Sequence, residues 1–210
     1  MIGSLFESSN LLSLFSTPVW ELQLPARRYE PINASVLDAL QDVRACGPSQ
    51  APGTGWQSRH DLHLRPELSG LVDCIHQAVE PILDSLKINY GGVEITGCWA
   101  NVNALGTAHG IHSHPNNYLS GVYYVRTPPG ADSINLHDPR VQTGIIRPPV
   151  TALTTQNTDM VVIHVQPGRL LVFPAWLQHA VCVGAAESER VSVGFNVMFT
   201  DYTRTMSPPL

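Results

Sequence analysis

The stretch from Gly92 to Phe199 constrains the fold most, because short apolar runs alternate there with turn residues. Turn signals such as Pro128-Pro129-Gly130 and Pro167-Gly168 interrupt it at short intervals. Strands are predicted over 93–103, 116–126, 132–138, 160–165, 169–174, 178–184 and 190–199. Seven short strands at this spacing predict an all-β barrel or sandwich. We expect this β core to occupy about 92–200 of a single domain spanning 1–210.

The residues before the β core predict two helices that cover one face of a sheet. Apolar side chains recur at helical spacing from Asn33 to Cys46 and again from Pro66 to Leu86. Ser35 is available as a cap near the start of the first helix, and Pro81 is expected to kink the second. Ahead of them, 20–24 alternates apolar and polar residues, which predicts an edge strand.

Composition excludes several classes of protein. Of the 210 residues, 43% are hydrophobic and 14% charged, which argues against a disordered chain. A net charge of −5 without any basic run argues against a nucleic-acid partner. No window reaches the roughly 18 apolar residues of a membrane helix. The four cysteines show neither a CxxC spacing nor a dense framework, so we expect reduced thiols in a cytoplasmic protein.

Three histidines form the first candidate site. His112 and His114 come just before a predicted strand, and residues at i and i+2 of a strand point to the same face. Both rings can therefore lean toward one metal ion. His179 ends the apolar stretch 170–178 and is the remote third candidate. Imidazole suits iron, zinc, copper and nickel, so the ligand type alone does not select the metal.

The role of His114 is open at this stage. The usual non-haem iron site has two histidines and one carboxylate, and His114 stands where an Asp or Glu is expected. It either binds the metal or lies beside a two-histidine site that water completes. Asp138 is a weaker candidate for a carboxylate ligand. His60 and His63 are also closely spaced, but nothing nearby completes a metal site, so we interpret them as loop residues or as a wall of the substrate pocket.

A candidate anion site follows His179 in the chain. The predicted strand 190–199 places Arg190, Ser192 and Gly194 on one face. A guanidinium with an adjacent hydroxyl is a good receptor for a carboxylate. The alternative is a surface ion pair of Arg190 with Glu187 or Glu189. An inward arginine would be costly without a partner, so an anionic cosubstrate is the natural partner if Arg190 faces inward.

These motifs together resemble those of the iron(II)/2-oxoglutarate-dependent oxygenases. The nearest similarity is to a small bacterial group with a His-x-His-Pro-Asn motif, and a more distant one is to the aspartyl/asparaginyl β-hydroxylases. The segments that carry the resemblance are 14–20, 112–125, 138–140 and 167–179, together with Gly106-Thr107 for the β-hydroxylases.

The resemblance implies a mainly β fold, the double-stranded β-helix (jelly roll, cupin-like), with about two N-terminal helices packed on one face. It implies iron(II) as the metal and 2-oxoglutarate as the cosubstrate. The two family histidines correspond to His112 and His179, with His114 at the carboxylate position. The predicted metal site is His112, His114 and His179, and the predicted cosubstrate site is Arg190, Ser192 and Asn101. We expect no catalytic side chain beyond the metal ligands.

The resulting functional prediction is a 2-oxoglutarate-dependent dioxygenase that hydroxylates a C–H bond of a small molecule or amino-acid-like substrate, with O2 as co-reactant. We expect neither a membrane nor a nucleic acid as partner, and a homodimer is left open. One alternative is a three-histidine, cupin-type dioxygenase or isomerase that does not use 2-oxoglutarate. Another is a non-catalytic metal-binding or ligand-binding module. The pocket mouth is expected to include 47–63, 140–159 and Tyr118.

Overall fold

Ten strands build two antiparallel sheets in this computed structural model, which describes residues 7–45, 55–140, 142 and 145–204. In chain order the strands are β1 (Trp20–Gln23), β2 (Trp56–Gln57), β3 (Val93–Asn103), β4 (His109–His112), β5 (Leu119–Arg126), β6 (Ser133–His137), β7 (Met160–His164), β8 (Arg169–Pro174), β9 (His179–Val181) and β10 (Arg190–Phe199). The larger sheet has the order β1-β8-β5-β10-β3-β2, and the smaller has the order β4-β9-β6-β7. This two-sheet arrangement is the double-stranded β-helix that the resemblance implies.

The predicted strands are confirmed, with shorter bounds for several of them. β3, β8 and β10 have the predicted ends, whereas β5 begins at Leu119 and β9 ends at Val181. The prediction missed β4, which lies where Gly106 and Gly110 weaken the strand pattern. It also missed β2, whose two residues are too few to show alternation. The edge strand predicted at 20–24 is β1, at one end of the larger sheet.

Two helices cover the outer face of the larger sheet. The helices are α1 (Ala26–Ala45) and α2 (Ser69–Ser85), the latter preceded by 3-10 turns at Leu62–Leu64 and Pro66–Leu68. They bury an apolar stripe that includes Val36, Leu40 and Ile75. The stripe packs on outward side chains of β3, β5, β8 and β10. A short third helix, α3 (Thr200–Thr203), follows β10.

The first helix begins earlier than its apolar pattern predicts. The backbone N–H groups of Arg28 and Tyr29 both donate to the Pro25 carbonyl, so the helix starts at Ala26 rather than Asn33. Ser35 consequently lies inside the helix and does not cap it. The missed turns carry exposed, polar residues, which give no periodic apolar signal. The predicted helix end at Cys46 and Gly47 lies outside the described residues.

Alternation along the strands divides the molecule into two cores. Outward residues of β10 such as Val191 and Val193 join the helical layer, while its inward residues face the smaller sheet. Between the sheets lies a second apolar cluster that includes Tyr124, Leu136 and Phe173. No helix in the described part of the chain has the length and apolar character needed to cross a membrane.

Candidate metal and cosubstrate site

His112 and His179 are direct neighbours across two strands of the smaller sheet. β4 ends at His112 and β9 begins at His179, and the register pairs these two residues. Side chains directly opposite each other in an antiparallel pair lie on the same face. The centroids of the two rings are 4.3 Å apart. Strand pairing thus joins two candidates that the sequence separates widely.

The third histidine, His114, joins this pair from a loop. It lies two residues beyond the end of β4, so the expectation that strand alternation orients it is wrong. Its backbone N–H donates to the Ala175 carbonyl at 2.8 Å. The Nε2 atoms of His114 and His179 are 3.3 Å apart. One ring nitrogen from each of the three histidines lies within 4.8 Å of the others, so the three can hold one metal ion.

The hydrogen bonds of two rings leave their Nε2 atoms free for a metal. Nδ1 of His112 donates to the Gly110 carbonyl at 2.8 Å, and Nδ1 of His179 donates to the Leu177 carbonyl at 3.0 Å. A carbonyl can only accept, so each neutral ring has its lone pair on Nε2. Backbone carbonyls orient metal-binding histidines in this way in many proteins. Two nitrogens each about 2.1 Å from one ion are roughly 3.0–3.4 Å apart, which the observed 3.3 Å matches.

Burial keeps two imidazoles of the cluster, those of His114 and His179, neutral. Desolvation lowers the pKa of His114 to about 4, and the neighbouring His179 and His112 contribute in the same direction. Desolvation also lowers the pKa of His179 to about 4, although its hydrogen bond to the Leu177 carbonyl opposes this shift. A neutral imidazole is the form that binds a metal, so the site fits a divalent cation at neutral pH.

Arg190 is buried in the wall of the same cavity. Only 2% of its surface is exposed, and its Nη1 donates to the Ser192 hydroxyl at 3.3 Å. Its Cζ lies 5.3 Å from the centroid of the Tyr124 ring. Burial lowers the pKa of Arg190, and the neighbouring Tyr124 partly offsets this. An arginine nevertheless remains protonated in proteins.

No carboxylate in the described part of the chain neutralises Arg190. The surface pair considered from the sequence does not form with Glu189, because Glu189 instead binds Arg44 at 3.0 Å. The Nε atom of Arg190 is buried and lacks a hydrogen-bond partner. A buried charge with an unpaired donor is costly. The carboxylate of a bound anion would supply the missing partner, so the residues present fit the distal end of 2-oxoglutarate.

Neighbouring strands complete the wall around Arg190. In the β10–β3 register Ser192 pairs with Asn101, and Arg190 pairs with Asn103. The Asn101 side-chain oxygen accepts a hydrogen bond from Gln57 at 3.0 Å. The three side chains predicted for the cosubstrate site therefore lie on one wall. Asp138, the weaker candidate for a metal ligand, is not in the histidine cluster and binds Arg140 instead.

One cavity of about 460 Å³ contains all six predicted site residues. The other lining side chains carry no fixed charge, and they include Gln57, His60, Thr96, Trp99, Asn117 and Asn196. Arg190 is the one lining side chain in the described ranges that carries a fixed charge. The pocket thus combines a cation-binding cluster, which ranges from the exposed His112 to the buried His179, with one buried positive charge.

Several lining residues escaped the sequence-based prediction. His109 Nε2 donates to the side-chain oxygen of Asn103 at 3.1 Å and lines the cavity, although a lone histidine on a short strand gave no signal. Trp99 and Gly194 form part of the wall, and only the register between their strands shows this. Tyr118 packs on Phe199 instead of lining this cavity, and the described part of 140–159 lines a separate one. Residues 47–54 lie outside the described ranges.

Comparison with known proteins agrees with this geometry. Residues 97–196 match the model of a family described as "Putative 2OG-Fe(II) oxygenase". A search of curated protein sequences finds no significant match. The matched segment contains every residue of the histidine cluster and of the Arg190 wall.

Solved structures of low sequence identity share the fold. HygX from Streptomyces hygroscopicus with nickel and 2-oxoglutarate bound is 13% identical, with a TM-score of 0.61 over 88% of this chain and 83% of HygX. A prolyl hydroxylase from Trichoplax adhaerens, in complex with a hypoxia inducible factor peptide, is 14% identical, with a TM-score of 0.61 over 92% and 89%. A Pseudomonas putida prolyl-4-hydroxylase is 15% identical, with a TM-score of 0.59 over 89% and 95%. Residues 97–196 are thus similar to the family described as "Putative 2OG-Fe(II) oxygenase", and these solved structures share the fold of the chain.

Proposed function

We propose that this protein hydroxylates a C–H bond of a small, uncharged or amino-acid-like substrate. The observation that carries the proposal is the pairing, within one cavity, of three converging imidazoles with a buried arginine that has no carboxylate partner. A metal cluster alone would fit many reactions. An unneutralised arginine in the same chamber specifically requires an anionic cosubstrate.

The geometry of the cavity supports a role for each predicted residue. His112, His114 and His179 hold iron(II) through their ring nitrogens. Arg190 binds the distal carboxylate of 2-oxoglutarate through its guanidinium, and the Ser192 hydroxyl supports that guanidinium from the same strand face. Asn101 lies opposite Ser192 and supplies a further polar contact along the cosubstrate. His112 is the exposed member of the cluster.

The bound iron and cosubstrate supply the oxidising chemistry, in which one atom of O2 enters the C–H bond and the other enters succinate as 2-oxoglutarate loses CO2. The chain supplies binding, orientation and exclusion of water. Arg190 fixes the cosubstrate at its far end. The apolar cluster between the sheets, which includes Leu171 and Phe173, packs next to the site, with the Phe173 ring 4.9 Å from the His179 ring.

The charge of the cavity wall narrows the substrate class. Beyond Arg190, the wall carries amides, hydroxyls, rings and aliphatic side chains, among them Asn117, Thr96, Trp99 and Ile134. A substrate with a fixed charge at its reacting end would find no counter-ion there. We therefore propose a neutral, hydrogen-bonding group as the target, either a small molecule or an amino-acid-like side chain.

Removal of Arg190 tests the cosubstrate assignment. Arg190→Ala should weaken 2-oxoglutarate binding at least about 30-fold, because truncating one partner of a buried charge pair costs about 2–5 kcal/mol. Metal affinity should change little, since the histidines remain. The measurement is anaerobic titration of the iron(II) protein with 2-oxoglutarate, read by the keto-acid-to-iron charge-transfer band, together with slow succinate formation in air.

Arg65→Ala is a matched control, because Arg65 pairs with Glu67 on the surface, away from the cavity. It should bind 2-oxoglutarate as the wild type does. Wild-type protein that binds metal but is indifferent to 2-oxoglutarate would contradict the proposal and favour the cupin-type alternative. Equal 2-oxoglutarate affinities in wild type and Arg190→Ala would remove the arginine from the site.

We also propose a cytoplasmic location. Cys74, Cys98 and Cys182 carry free thiols, which suits a reducing compartment, while Cys46 lies outside the described residues. Fractionation of the native host, followed by immunoblotting, tests this location, and recovery in an oxidising compartment would contradict it.

A further inference from the structure

We propose that Trp99 is a positioning residue that fixes the ring of His114 in the metal cluster. The inference rests on the proposed function only in taking His114 to be a metal ligand. His114 is the member of the cluster whose orientation the strands do not determine, because it lies in the loop between β4 and β5.

The hydrogen bonds of the three histidines differ in a way that calls for such support. His112 and His179 each have Nδ1 bound to a backbone carbonyl, which sets the plane of the ring. Within the described ranges His114 has no such bond at Nδ1, and its Nε2 contacts only the Nε2 of His179. The Ala175 carbonyl holds its backbone N–H but leaves the ring free to rotate about χ1 and χ2. Ring packing must therefore supply the orientation.

The rings of His112 and His179 lie 5.2 and 5.1 Å from the His114 ring, and the indole of Trp99 is an aromatic neighbour from outside the cluster that can supply the orientation. Trp99 is 6% exposed, and its ring lies 5.4 Å from the His114 ring at an interplanar angle of 48°. The distance and tilt belong to the favourable range for aromatic pairs. His60 stacks on the same indole at 4.5 Å and 24°, which further restricts its movement. An immobile indole can act as a fixed surface for the mobile imidazole.

Gly194 allows the indole to lie where it does. The β10–β3 register pairs Gly194 with Trp99, and both face the cavity. A Cβ at Gly194 would meet the Cε2 and Cζ2 atoms of Trp99 at 2.8 Å, closer than real Cβ atoms approach. The indole therefore lies directly against the bare backbone of β10. This contact makes Gly194→Ala a second, independent way to displace the ring.

Cobalt(II) is the probe, because its visible absorption reports affinity and X-ray absorption reports the number of imidazole ligands. Residues that orient metal ligands typically contribute 10–100-fold to metal affinity. Trp99→Leu should weaken cobalt binding by about 10–100-fold and lower the imidazole count from three toward two. Gly194→Ala should also weaken cobalt binding and lower the number of imidazole ligands. Trp99→Phe, which keeps an aromatic ring, should restore most of the affinity.

Double substitution separates positioning from a general loss of stability. If Trp99 acts through His114, Trp99→Leu should weaken binding no further in a His114→Ala background, because coupled residues are non-additive. Trp56→Leu removes an indole from β2 of the same sheet, outside the cavity, and should leave cobalt affinity unchanged. Circular dichroism and thermal unfolding confirm that each variant is folded.

The inference would be overturned if Trp99→Leu kept three imidazole ligands on cobalt and a cobalt affinity within about twofold of wild type. Full additivity of Trp99→Leu with His114→Ala would also overturn it. A cobalt complex of the wild type that lacks His114 would overturn it as well. Titration of the same proteins with 2-oxoglutarate distinguishes this failure from that of the proposed function, since Trp99 can be irrelevant to His114 while the cosubstrate still binds.

Discussion

At the scale of single residues, burial decides the chemistry of the site. The imidazoles of His114 and His179 are neutral because they are buried. The guanidinium of Arg190 is charged, although no carboxylate in the described ranges pairs with it. The first condition favours a metal ion and the second favours an anion. The unpaired charge of Arg190 is a cost to the fold that a bound anion would remove.

The stability of the metal-free protein should therefore depend on pH. The pKa values of His114 and His179 are about 4 in the folded chain, against an ordinary value near 6.5. The unfolded chain thus binds more protons between these values, and the free energy of unfolding should fall as pH drops from about 6.5 to about 4. Urea unfolding of the metal-free protein at pH 7 and pH 5 measures this decrease.

His179→Gln should reduce that dependence on pH, because it removes one of the two buried imidazoles. His76→Gln is the control, since His76 lies on the surface of α2 next to Glu80. It should retain the full decrease. An unchanged difference between pH 7 and pH 5 in His179→Gln would show that the buried histidines are not its source.

At the scale of strands, neighbouring groups pack closely against the backbone of Gly121 in the centre of the larger sheet. Gly121 on β5 lies opposite Phe195 on β10 and Val172 on β8, so it has a neighbour on both sides. A Cβ at Gly121 would clash with the Phe195 ring and would lie 2.6 Å from the Leu171 carbonyl oxygen. The backbone oxygen cannot rotate away as a side chain can. Glycine here lets the Phe195 ring cover the strand on the side of the helices.

Gly121→Ala should therefore lower the free energy of unfolding by at least about 2 kcal/mol, because overpacking a core displaces neighbouring groups. Gly110→Ala on β4 is the matched control, since a Cβ there meets nothing within 4 Å. Its stability should stay within about 0.5 kcal/mol of wild type. Urea denaturation of both variants provides the measurement, and equal stabilities would contradict the packing argument.

At the scale of the whole molecule, one buried polar contact joins the helical layer to the larger sheet. The Asn33 amide on α1 donates to the Val125 carbonyl at 3.0 Å, and the Tyr123 hydroxyl donates to the Asn33 side-chain oxygen at 2.7 Å. Burial raises the pKa of Tyr123 well above its ordinary value, so the hydroxyl remains protonated and remains a donor. The surrounding contacts are apolar and tolerate sliding, so this pair sets the position of α1 on the sheet.

Asn33→Ala should lower the free energy of unfolding by about 2–4 kcal/mol, because it leaves a buried hydroxyl and a buried carbonyl without partners. Tyr123→Phe should cost about 1–2 kcal/mol, since it removes the donor and leaves one acceptor unpaired. The double variant should lose less than the sum of the two. Additive effects in chemical denaturation would show that the contact does not couple the layers.

The sequence-based prediction was accurate where local patterns carry the information. Strand alternation and turn residues located β3, β8 and β10, because the period of a half-buried strand is a local property. The same patterns were less accurate at the start of α1, where polar residues continue a helix without an apolar signal. They missed β4 altogether, because its glycine and its exposed side chains resemble a loop.

By itself the sequence determined the classes of residue available to the site: three imidazoles, an arginine with a nearby hydroxyl, and strands to carry them. Tertiary structure decided which of them meet. Cross-strand register brought His112 to His179, and a loop rather than a strand delivered His114. The contact between Trp99 and Gly194 likewise depends on the pairing of β3 with β10. Contacts between residues distant in the chain depend on register, and no local periodicity encodes register.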